Sequence, residues 1–379
     1  MTLQPNVSAP GSDPMTSARD VAVEVIGLSK NYGAVRALAS VDLKIAAGEY
    51  FVLLGPSGGG KTTLLRLLGG FIRPSAGTVL LHGHDVSALP PNRRPTSMVF
   101  QSYALFPHMS VARNVGYGLK LQNMPKAEAK DRIAAMLELV GLTGYDARMP
   151  HELSGGQQQR VQLARSLVLE RDVLLLDEPL AALDAKLRKD MCLELKHIQE
   201  KVGITFVHVT HNQEEAMTVA DRLAIIAEGE LIEAGTARDV YERPIKRFTA
   251  DFVGERAIFD GTVASAEKTG VQLDLGFGTI AVKAPAEASA GAKASVSIRS
   301  ELLELLPAEG KAPAGFETLE ATYRESVYLG LTISHVVSLP DGSEIAVRDI
   351  AGAGPAKLPE AGAPVRIGWK AEDASLHLS

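Results

Sequence analysis

A glycine-rich segment directly after a short apolar run constrains the fold of this chain more than any other feature. GEYFVLLG, residues 48–55, ends in glycine, as expected for a strand that is buried on both faces. GPSGGGKTT, residues 55–63, follows it and leads into an apolar, helix-like stretch. A strand, a glycine turn and a helix in this order indicate a phosphate-binding loop, because glycine lets successive backbone N–H groups point inward. A purely structural glycine turn is the alternative.

This loop supplies groups for a whole chain of phosphates. Lys61 is spaced to reach the β- and γ-phosphates of a nucleotide, and the Thr62 hydroxyl can bind Mg²⁺. The helix that we predict to begin near Lys61 adds the positive end of its dipole. The predicted nucleotide-binding residues of the loop are Gly55, Pro56, Ser57, Gly58, Gly59, Gly60, Lys61, Thr62 and Thr63.

A second apolar run, VLLLDEP, ends in two carboxylates, Asp177 and Glu178. A carboxylate at a strand end can hold Mg²⁺, and a neighbouring one can polarise the attacking water as a general base. We therefore predict Asp177 as a metal ligand and Glu178 as the catalytic base. An acidic helix cap before Pro179 is the structural alternative, and it would be preferred if the phosphate loop were absent.

Strand-like and helix-like segments alternate from Val21 to about Ala250. Residues 184–202 carry apolar side chains at three- and four-residue spacing, and the β-branched segment ITFVHVT follows them. Buried strands separated by helices imply a parallel α/β sheet. Helical patterns dominate the chain between Gln101 and Leu169, so we predict a helical subdomain of about residues 103–165 inserted into this core.

The pattern changes around residues 241–255, after which short β-like runs alternate with turns. Pro340-Asp341-Gly342 is one hairpin signal, because proline sets φ and glycine takes the positive φ. We predict a separate all-β domain of barrel type. The predicted organisation is a disordered tail at 1–20, the α/β domain at 21–242, a linker at 243–256 and the β-barrel domain at 257–379.

Composition and charge argue against several classes of protein. The 379 residues carry a net charge of −6, which disfavours a nucleic-acid binder with a basic surface. The single cysteine, Cys192, rules out an intramolecular disulfide framework and suits a reducing cytoplasm. No apolar run approaches the roughly 20 residues of a membrane-spanning helix. The first 20 residues lack the regions of a secretory signal, and Met15 is a possible alternative start.

A third motif, LSGGQQQR at residues 153–160, makes the assignment specific. A serine and two glycines precede a predicted helix, whose N-terminus offers a second anion contact. A capped turn is the alternative for the motif alone. With the phosphate loop and the acidic motif in this order, the chain resembles the ABC (ATP-binding cassette) ATPases. The implied fold class is an α/β P-loop NTPase core with a helical subdomain insertion and a C-terminal all-β, OB-like barrel of TOBE type.

The resemblance implies roles for further residues, with ATP and Mg²⁺ as cofactors. Tyr32 matches the aromatic residue that stacks on adenine, although a strand-end tyrosine is the structural alternative. Gln101 matches the glutamine that senses Mg²⁺ and the attacking water, and residues 102–106 resemble the part that touches the membrane subunit. His211 matches the switch histidine that contacts the γ-phosphate. Leu183 and Asp184 match the D-loop. The remaining implied nucleotide-binding residues are Ser154, Gly155, Gly156, Gln157 and Asp184.

Four positions depart from the family pattern, and none of them removes a phosphate, metal or base residue. The departures are Gly59, Gln158, Ala181 and Asn212, of which Ala181 puts one hydrogen bond across a dimer in doubt. His208 and His211 could be taken for a metal pair, but an i,i+3 pair on a strand faces opposite sides. We interpret His82 and His84, which flank Gly83, as solvated turn residues.

The whole chain from Val21 onward is similar to importer ATPases of the polyamine, iron and maltose group. Within that group it looks most like the spermidine/putrescine subunits, and iron(III), sugar, sulfate or another small solute remains the alternative cargo. The resemblance implies a head-to-tail dimer with a second copy, two integral-membrane permease subunits, an indirect solute-binding partner and the cytoplasmic face of the inner membrane. A soluble ABC ATPase outside transport and a nucleotide sensor without hydrolysis are more distant alternatives.

Overall fold

The structure is a computed structural model that describes residues 20–102, 104–267, 270–283, 288–352 and 358–378. The chain divides into two compact units, Met1–Ala234 and Gly235–Ser379, each with its own hydrophobic core. Of the predicted tail, only Asp20 lies within the described residues. The domain boundaries proposed from the sequence stay predictions.

Strands and helices alternate along the first unit. Its strands are β1 (Val21–Tyr32), β2 (Val35–Ala46), β3 (Tyr50–Leu54), β4 (Ala76–Leu81), β5 (His84–Asp85), β6 (Thr96–Val99), β7 (Val173–Asp177), β8 (Thr205–Thr210), β9 (Arg222–Ala227) and β10 (Glu230–Thr236). Its helices are α1 (Lys61–Leu68), α2 (Val111–Val115), α3 (Tyr117–Leu121), α4 (Lys126–Leu139), α5 (Gly155–Leu167), α6 (Ala185–Val202) and α7 (Gln213–Val219).

A six-stranded sheet in the order β10-β9-β3-β8-β7-β6 forms the centre of this unit. Strand β3 pairs in parallel with β8 and β9, and β7 pairs in parallel with β6 and β8. Every residue of β3, β7 and β8 is buried, which explains their almost continuous apolar sequences. The prediction of a parallel α/β core is confirmed. The carboxyl ends of these three strands share one edge, where ligands bind in open α/β sheets.

A second sheet, in the order β2-β1-β4-β5, is antiparallel and contributes to the same core. The helices α2 to α5 lie between β6 and β7, which are hydrogen-bonded neighbours, so they form the predicted helical insertion. Helix α6 begins one residue later than the predicted segment because Asp184 is its N-cap. In the described part of the chain, no helix is both long and apolar enough to span a membrane.

The second unit begins with two short helices and continues as strands. Its helices are α8 (Ala237–Glu242) and α9 (Arg247–Phe252). Its strands are β11 (Arg256–Glu267), β12 (Gly270–Asp274), β13 (Thr279–Val282), β14 (Lys293–Arg299), β15 (Glu304–Pro307), β16 (Phe316–Tyr328), β17 (Thr332–Ser338), β18 (Glu344–Ile350), β19 (Pro364–Lys370) and β20 (Ser375–Leu378).

These strands form two antiparallel sheets, in the orders β13-β12-β11-β14-β20 and β15-β19-β16-β17-β18. Both sheets contribute to one core, in which the rings of Phe259 and Trp369 stack with centroids 5.9 Å apart. The predicted hairpin turn joins β17 to β18, and Gly342 takes a φ of 88° there. The prediction of a C-terminal all-β domain is confirmed.

Candidate nucleotide-binding and hydrolysis site

The glycine-rich loop joins the end of β3 to the start of α1. Gly60 is the N-cap of α1 with a φ of 106°, and a Cβ on it would lie 2.8 Å from the carbonyl oxygen of Ala37. A Cβ on Gly59 would lie 2.7 Å from the carbonyl oxygen of Ile226. Gly60 therefore needs the backbone freedom of glycine, and both positions need its small size. The departure at Gly59 suits the close packing of the loop against β9.

The ammonium group of Lys61 contacts the first residues of the phosphate loop. The side chain is buried, and Nζ donates hydrogen bonds of 2.8 Å to the carbonyl oxygens of both Gly55 and Pro56. Burial lowers the pKa of Lys61, an effect that the nearby carboxylates of Glu178 and Asp177 oppose. The loop therefore contains a cation in contact with its first residues, at the place where a phosphate chain would need one.

Thr62 and Asp177 meet although they lie far apart in sequence. The Thr62 hydroxyl donates a hydrogen bond of 3.0 Å to Asp177 Oδ1, and Arg66 approaches Asp177 Oδ2 to 3.9 Å. Burial raises the pKa of Asp177, which the hydrogen bond from Thr62 and the charge of Arg66 oppose. A hydroxyl and a carboxylate at one sheet edge form an all-oxygen donor pair, which is the type that Mg²⁺ prefers. These two residues fit the predicted metal site.

Glu178 stands at the centre of three predicted catalytic residues. Its Oε2 accepts a hydrogen bond of 3.4 Å from the Gln101 amide and lies 3.4 Å from Nδ1 of His211. Its backbone has a φ of 45°, a strained conformation for a residue with a side chain. Strain of this kind costs about 1–3 kcal/mol and is found where function demands a fixed direction. The geometry suits a carboxylate that accepts a proton from water between an amide and an imidazole.

The signature residues stand apart from this cluster. Ser154 caps α5, since its hydroxyl accepts from the Gln157 N–H at 3.4 Å and its own N–H donates to Gln157 Oε1 at 3.0 Å. A Cβ on Gly156 would lie 3.3 Å from a methyl carbon of Leu187, near the start of α6. Among the contacts of the described residues, none joins Ser154–Gln157 to the phosphate loop. At this helix end Ser154 is exposed, Gly155 and Gln157 are half-buried and Gly156 is buried.

Tyr32 and Asp184 also lie outside the central cluster. Tyr32 ends β1 with 49% of its surface exposed, and Lys30 Nζ lies 5.0 Å from its ring centroid. Asp184 is exposed, and its Oδ1 accepts the N–H of Leu187 at 3.0 Å to cap α6. The half-exposed ring and the exposed cap are accessible from outside the chain, and their predicted roles stay predictions.

Sequence reasoning missed a buried polar group beneath His211. Glu215 is 5% exposed, and its Oε2 accepts a hydrogen bond of 2.7 Å from the Thr210 hydroxyl. The Nε of Arg188 lies 3.5 Å from Glu215 Oε1. Glu215 lies four residues before Val219, and both are buried on α7, so the helical spacing could have indicated a buried carboxylate. Its partners could not be found that way, because they come from other elements.

His208 and His211 occupy different environments. His208 is fully buried in β8, where its Nδ1 lies 3.1 Å from the hydroxyl of Tyr50. Burial lowers the pKa of His208 to about 3, so its imidazole is neutral. His211 follows the end of β8 and is exposed. Asn212, a departure from the family pattern, caps α7 by accepting the N–H of Glu215 at 3.1 Å.

Comparison with known proteins identifies the family. The family model for ABC transporters matches residues 38–181, and the model for the TOBE domain matches residues 296–376. The spermidine/putrescine import ATP-binding protein PotA of Roseobacter denitrificans is 48% identical over 328 residues, covering 86% of this chain and 89% of its own. The PotA of Thermobifida fusca is 43% identical over 376 residues, covering 98% and 97%. This chain belongs to the ATP-binding subunits of ABC transporters.

Solved structures agree with this membership of the ABC family. The cbiO1 protein of Clostridium perfringens, part of the ABC transporter complex cbiONQ, matches with a TM-score of 0.56 and 30% identity over 59% of this chain and 91% of that one. The ATP-binding cassette MJ0796, in a dimeric post-hydrolysis state with ADP and Pi, matches with a TM-score of 0.52 and 31% identity over 57% and 99%. The chain is thus an ATP-hydrolysing subunit of an ABC-type transporter with a C-terminal TOBE domain.

Proposed function

We propose that this ABC ATPase hydrolyses ATP to drive the import of the polyamines spermidine and putrescine. The observation that supports polyamines as the cargo is the extent of the likeness to spermidine/putrescine import proteins. The PotA proteins of Roseobacter denitrificans and Thermobifida fusca match 86% and 98% of this chain, so the likeness includes the TOBE domain as well as the ATPase domain.

Glu178 is the residue that we assign to the proton transfer of hydrolysis. Its carboxylate takes a proton from the attacking water, the water oxygen bonds to the γ-phosphorus, and the bond to the β–γ bridging oxygen breaks to leave ADP. Gln101 and His211 both approach the same carboxylate oxygen at 3.4 Å, so they are placed to orient the water and the γ-phosphate beside it. Lys61 and the backbone N–H groups of the loop at residues 57–63 bind the phosphates.

Thr62, Asp177 and Gln101 are the residues that we assign to Mg²⁺. The contact between the Thr62 hydroxyl and the Asp177 carboxylate supports the assignment of the first two residues. When bound, the ion neutralises charge on the phosphates. The half-exposed Arg66 lies 3.9 Å from the same carboxylate and adds a positive charge beside it.

A second copy of this chain completes the site in our proposal. Ser154–Gln157 cap a helix whose dipole and free N–H groups suit a phosphate, yet they do not contact the phosphate loop of the same chain. In a head-to-tail pair, the capped end of α5 from one copy covers the nucleotide held by Lys61 of the other. Closure then excludes bulk water, and Tyr32 stacks on the adenine. The structure of MJ0796, described as dimeric with ADP and Pi, supports this arrangement.

A groove in the first unit supports a membrane partner. It has a volume of about 680 Å³ and is lined by residues that include Phe106, Tyr117, Leu121 and Arg165. Part of it belongs to the segment 102–106 after Gln101, of which Tyr103 lies outside the described residues. We propose that one permease subunit docks on this groove in each copy of the pair, two in all, at the cytoplasmic face of the inner membrane. A solute-binding protein then delivers the polyamine from the other side.

Uptake of labelled putrescine and spermidine tests the proposal in cells that lack their other polyamine importers. The cells carry this chain with its permeases, as the native protein, as Glu178→Gln or as Glu200→Gln. Glu200 is an exposed glutamate on α6, so its substitution is a matched control. We expect uptake in the native and control cells and a loss of about 10²- to 10⁴-fold with Glu178→Gln, the range that general-base catalysis contributes.

Parallel assays with labelled iron(III), sulfate and sugars separate the cargo from the mechanism. Uptake of one of these solutes in place of the polyamines, with the same dependence on Glu178, would overturn the polyamine assignment and leave the ATPase role intact. Full polyamine uptake with Glu178→Gln would overturn the assignment of the base.

A further inference from the structure

A buried carboxylate contacts two segments, one that carries His211 and one that precedes α6. Glu215 is 5% exposed, and burial raises its pKa, an effect that the hydrogen bond from Thr210 and the charge of Arg188 oppose. A buried carboxylate needs hydrogen bonds and a counter-charge, and this one has both. Its two oxygens point to different elements, so the side chain bridges them.

One oxygen holds the segment that carries His211. Thr210 donates its hydroxyl to Glu215 Oε2 at 2.7 Å, and the same hydroxyl oxygen accepts the N–H of Asn212 at 3.0 Å. The backbone N–H of Glu215 donates to Asn212 Oδ1 at 3.1 Å. Glu215 thus fixes the residues on both sides of His211, whose own side chain is exposed and has Glu178 at 3.4 Å.

The other oxygen reaches the segment before α6. Arg188 Nε lies 3.5 Å from Glu215 Oε1, an ion-pair distance without the direction of a hydrogen bond. The same guanidinium donates from Nη2 to the carbonyl oxygen of Leu183 at 2.8 Å. Leu183 adjoins Asp184, the exposed cap of α6. Arg188 therefore binds the carboxylate with one nitrogen and the backbone beside Asp184 with another.

We infer that Glu215 is a positioning residue for ATP hydrolysis, which links the His211 segment through Thr210 to the Leu183–Asp184 segment through Arg188. The inference rests on the proposed function of Glu178 and His211. Because the buried carboxylate contacts both segments, we expect a shift of either segment to displace the other. The rate of the chemical step then depends on Glu215, whereas the affinity of the phosphate loop for ATP does not.

Steady-state hydrolysis by the purified full chain tests the inference. Glu215→Gln keeps an acceptor for Thr210 and removes the charge that faces Arg188. Glu214→Gln makes the same change at the exposed neighbouring residue of α7. We expect kcat to fall by about ten- to a hundredfold in Glu215→Gln, as for a small misplacement of catalytic groups, and to stay within about twofold in Glu214→Gln. Equilibrium ATP affinity should match that of the native chain.

A second pair of variants keeps the test decisive where Glu215→Gln does not fold. Thr210→Val removes the hydroxyl with little change in volume, whereas Thr210→Ser retains it. We expect the valine variant to lose kcat as Glu215→Gln does and the serine variant to restore most of it. Because one bridge is broken in both cases, the Glu215→Gln/Thr210→Val double variant should be no slower than the slower single variant.

Three results would overturn the inference alone, provided that the native chain hydrolyses ATP and Glu178→Gln does not. They are a near-native kcat in Glu215→Gln, equal rates in the two Thr210 variants, and losses that multiply in the double variant. A fall in ATP affinity parallel to the fall in kcat would also overturn it, since a purely structural role predicts that pattern. A native chain without ATP hydrolysis would instead overturn the proposed function, and the inference with it.

Discussion

At the scale of single residues, His208 shows how burial sets a charge state. The hydroxyl of Tyr50, a residue of β3, lies 3.1 Å from Nδ1 of His208. On α7, Oε2 of Glu215 lies 3.8 Å from Nε2 of the same histidine. Burial raises the pKa of Tyr50, so its hydroxyl stays protonated beside Nδ1. Because burial also keeps His208 neutral, its contact with Glu215 is not an ion pair at neutral pH.

We predict that His208 makes the first unit sensitive to acid. The unfolded chain protonates this histidine below a pKa of 6.5, but the folded chain does so only near 3. Because the unfolded state binds more protons between these values, stability is present above pH 6.5 and is lost as the pH falls. At about 1.4 kcal/mol per pH unit, the loss from this residue is about 2 kcal/mol at pH 5.

Urea unfolding at pH 7.5 and pH 5.0, followed by circular dichroism, measures this loss in the native chain and in His208→Phe. His197→Phe is the matched control, since His197 is exposed on α6. The His208 variant is expected to be less stable at pH 7.5, because the Tyr50 hydroxyl loses its hydrogen-bond partner, but to lose about 2 kcal/mol less on acidification. Equal pH dependence in all three proteins would contradict the prediction.

The residues of the candidate site differ in how far the sequence could predict them. The phosphate loop is local, so the spacing of Gly55, Gly60, Lys61 and Thr62 alone was enough to predict it. The bridge through Glu215 joins residues that are close only in the folded chain. Helical periodicity can mark such a residue as buried, but it carries no information about which side chains from other elements will neutralise it.

At the scale of elements, α5 holds the segment that follows Gln101. Gln162 donates its amide to the carbonyl oxygens of Phe100 and Ser102 at 3.1 and 3.3 Å. Arg165 donates to the carbonyl oxygen of Ala104 at 2.8 Å, and the backbone of Ala104 is strained at a φ of 44°. The helix that carries the signature at its N-terminus therefore also fixes the edge of the groove proposed for the permease.

We predict that Arg165→Met uncouples hydrolysis from transport. Loss of a charged hydrogen bond to the backbone costs about 1.5–3 kcal/mol, so the segment beside the groove should lose its fixed position. Polyamine uptake is expected to fall about tenfold more than the ATPase rate of the purified chain. Arg238→Met, at a highly exposed arginine on α8, is the control. Equal losses of uptake and hydrolysis would show that the segment serves only the chemistry.

Element types were predicted better than their pairing. The predicted helix at residues 184–202 corresponds to α6, which begins one residue later because Asp184 is its N-cap. The short β-like runs of the C-terminal domain were recognised from turns and alternation. Their order was not predictable, since neighbours such as β14 and β20 are separated in sequence by most of the domain. Strand pairing depends on packing between distant segments, which local patterns do not encode.

At the scale of the whole molecule, the chain carries a natural probe for one of its two units. Trp369 is the single tryptophan of the sequence, is fully buried, and stacks on Phe259 in the core of the second unit. The phosphate loop belongs to the first unit, which has a separate core. Fluorescence of Trp369 therefore reports the unfolding of the TOBE domain, while nucleotide binding acts on the other unit.

We predict that a non-hydrolysable ATP analogue with Mg²⁺ stabilises the first unit alone. A ligand at 100 times its Kd adds about 2.7 kcal/mol, or about 5–10 °C in the melting temperature of a unit of this size. Circular dichroism in the helical region should record that shift, because the longer helices α4, α5 and α6 lie in the first unit. The midpoint of Trp369 fluorescence should stay in place, and Lys61→Ala should abolish the shift seen by dichroism. A fluorescence midpoint that rises as far as the dichroism midpoint would show instead that the two units unfold together.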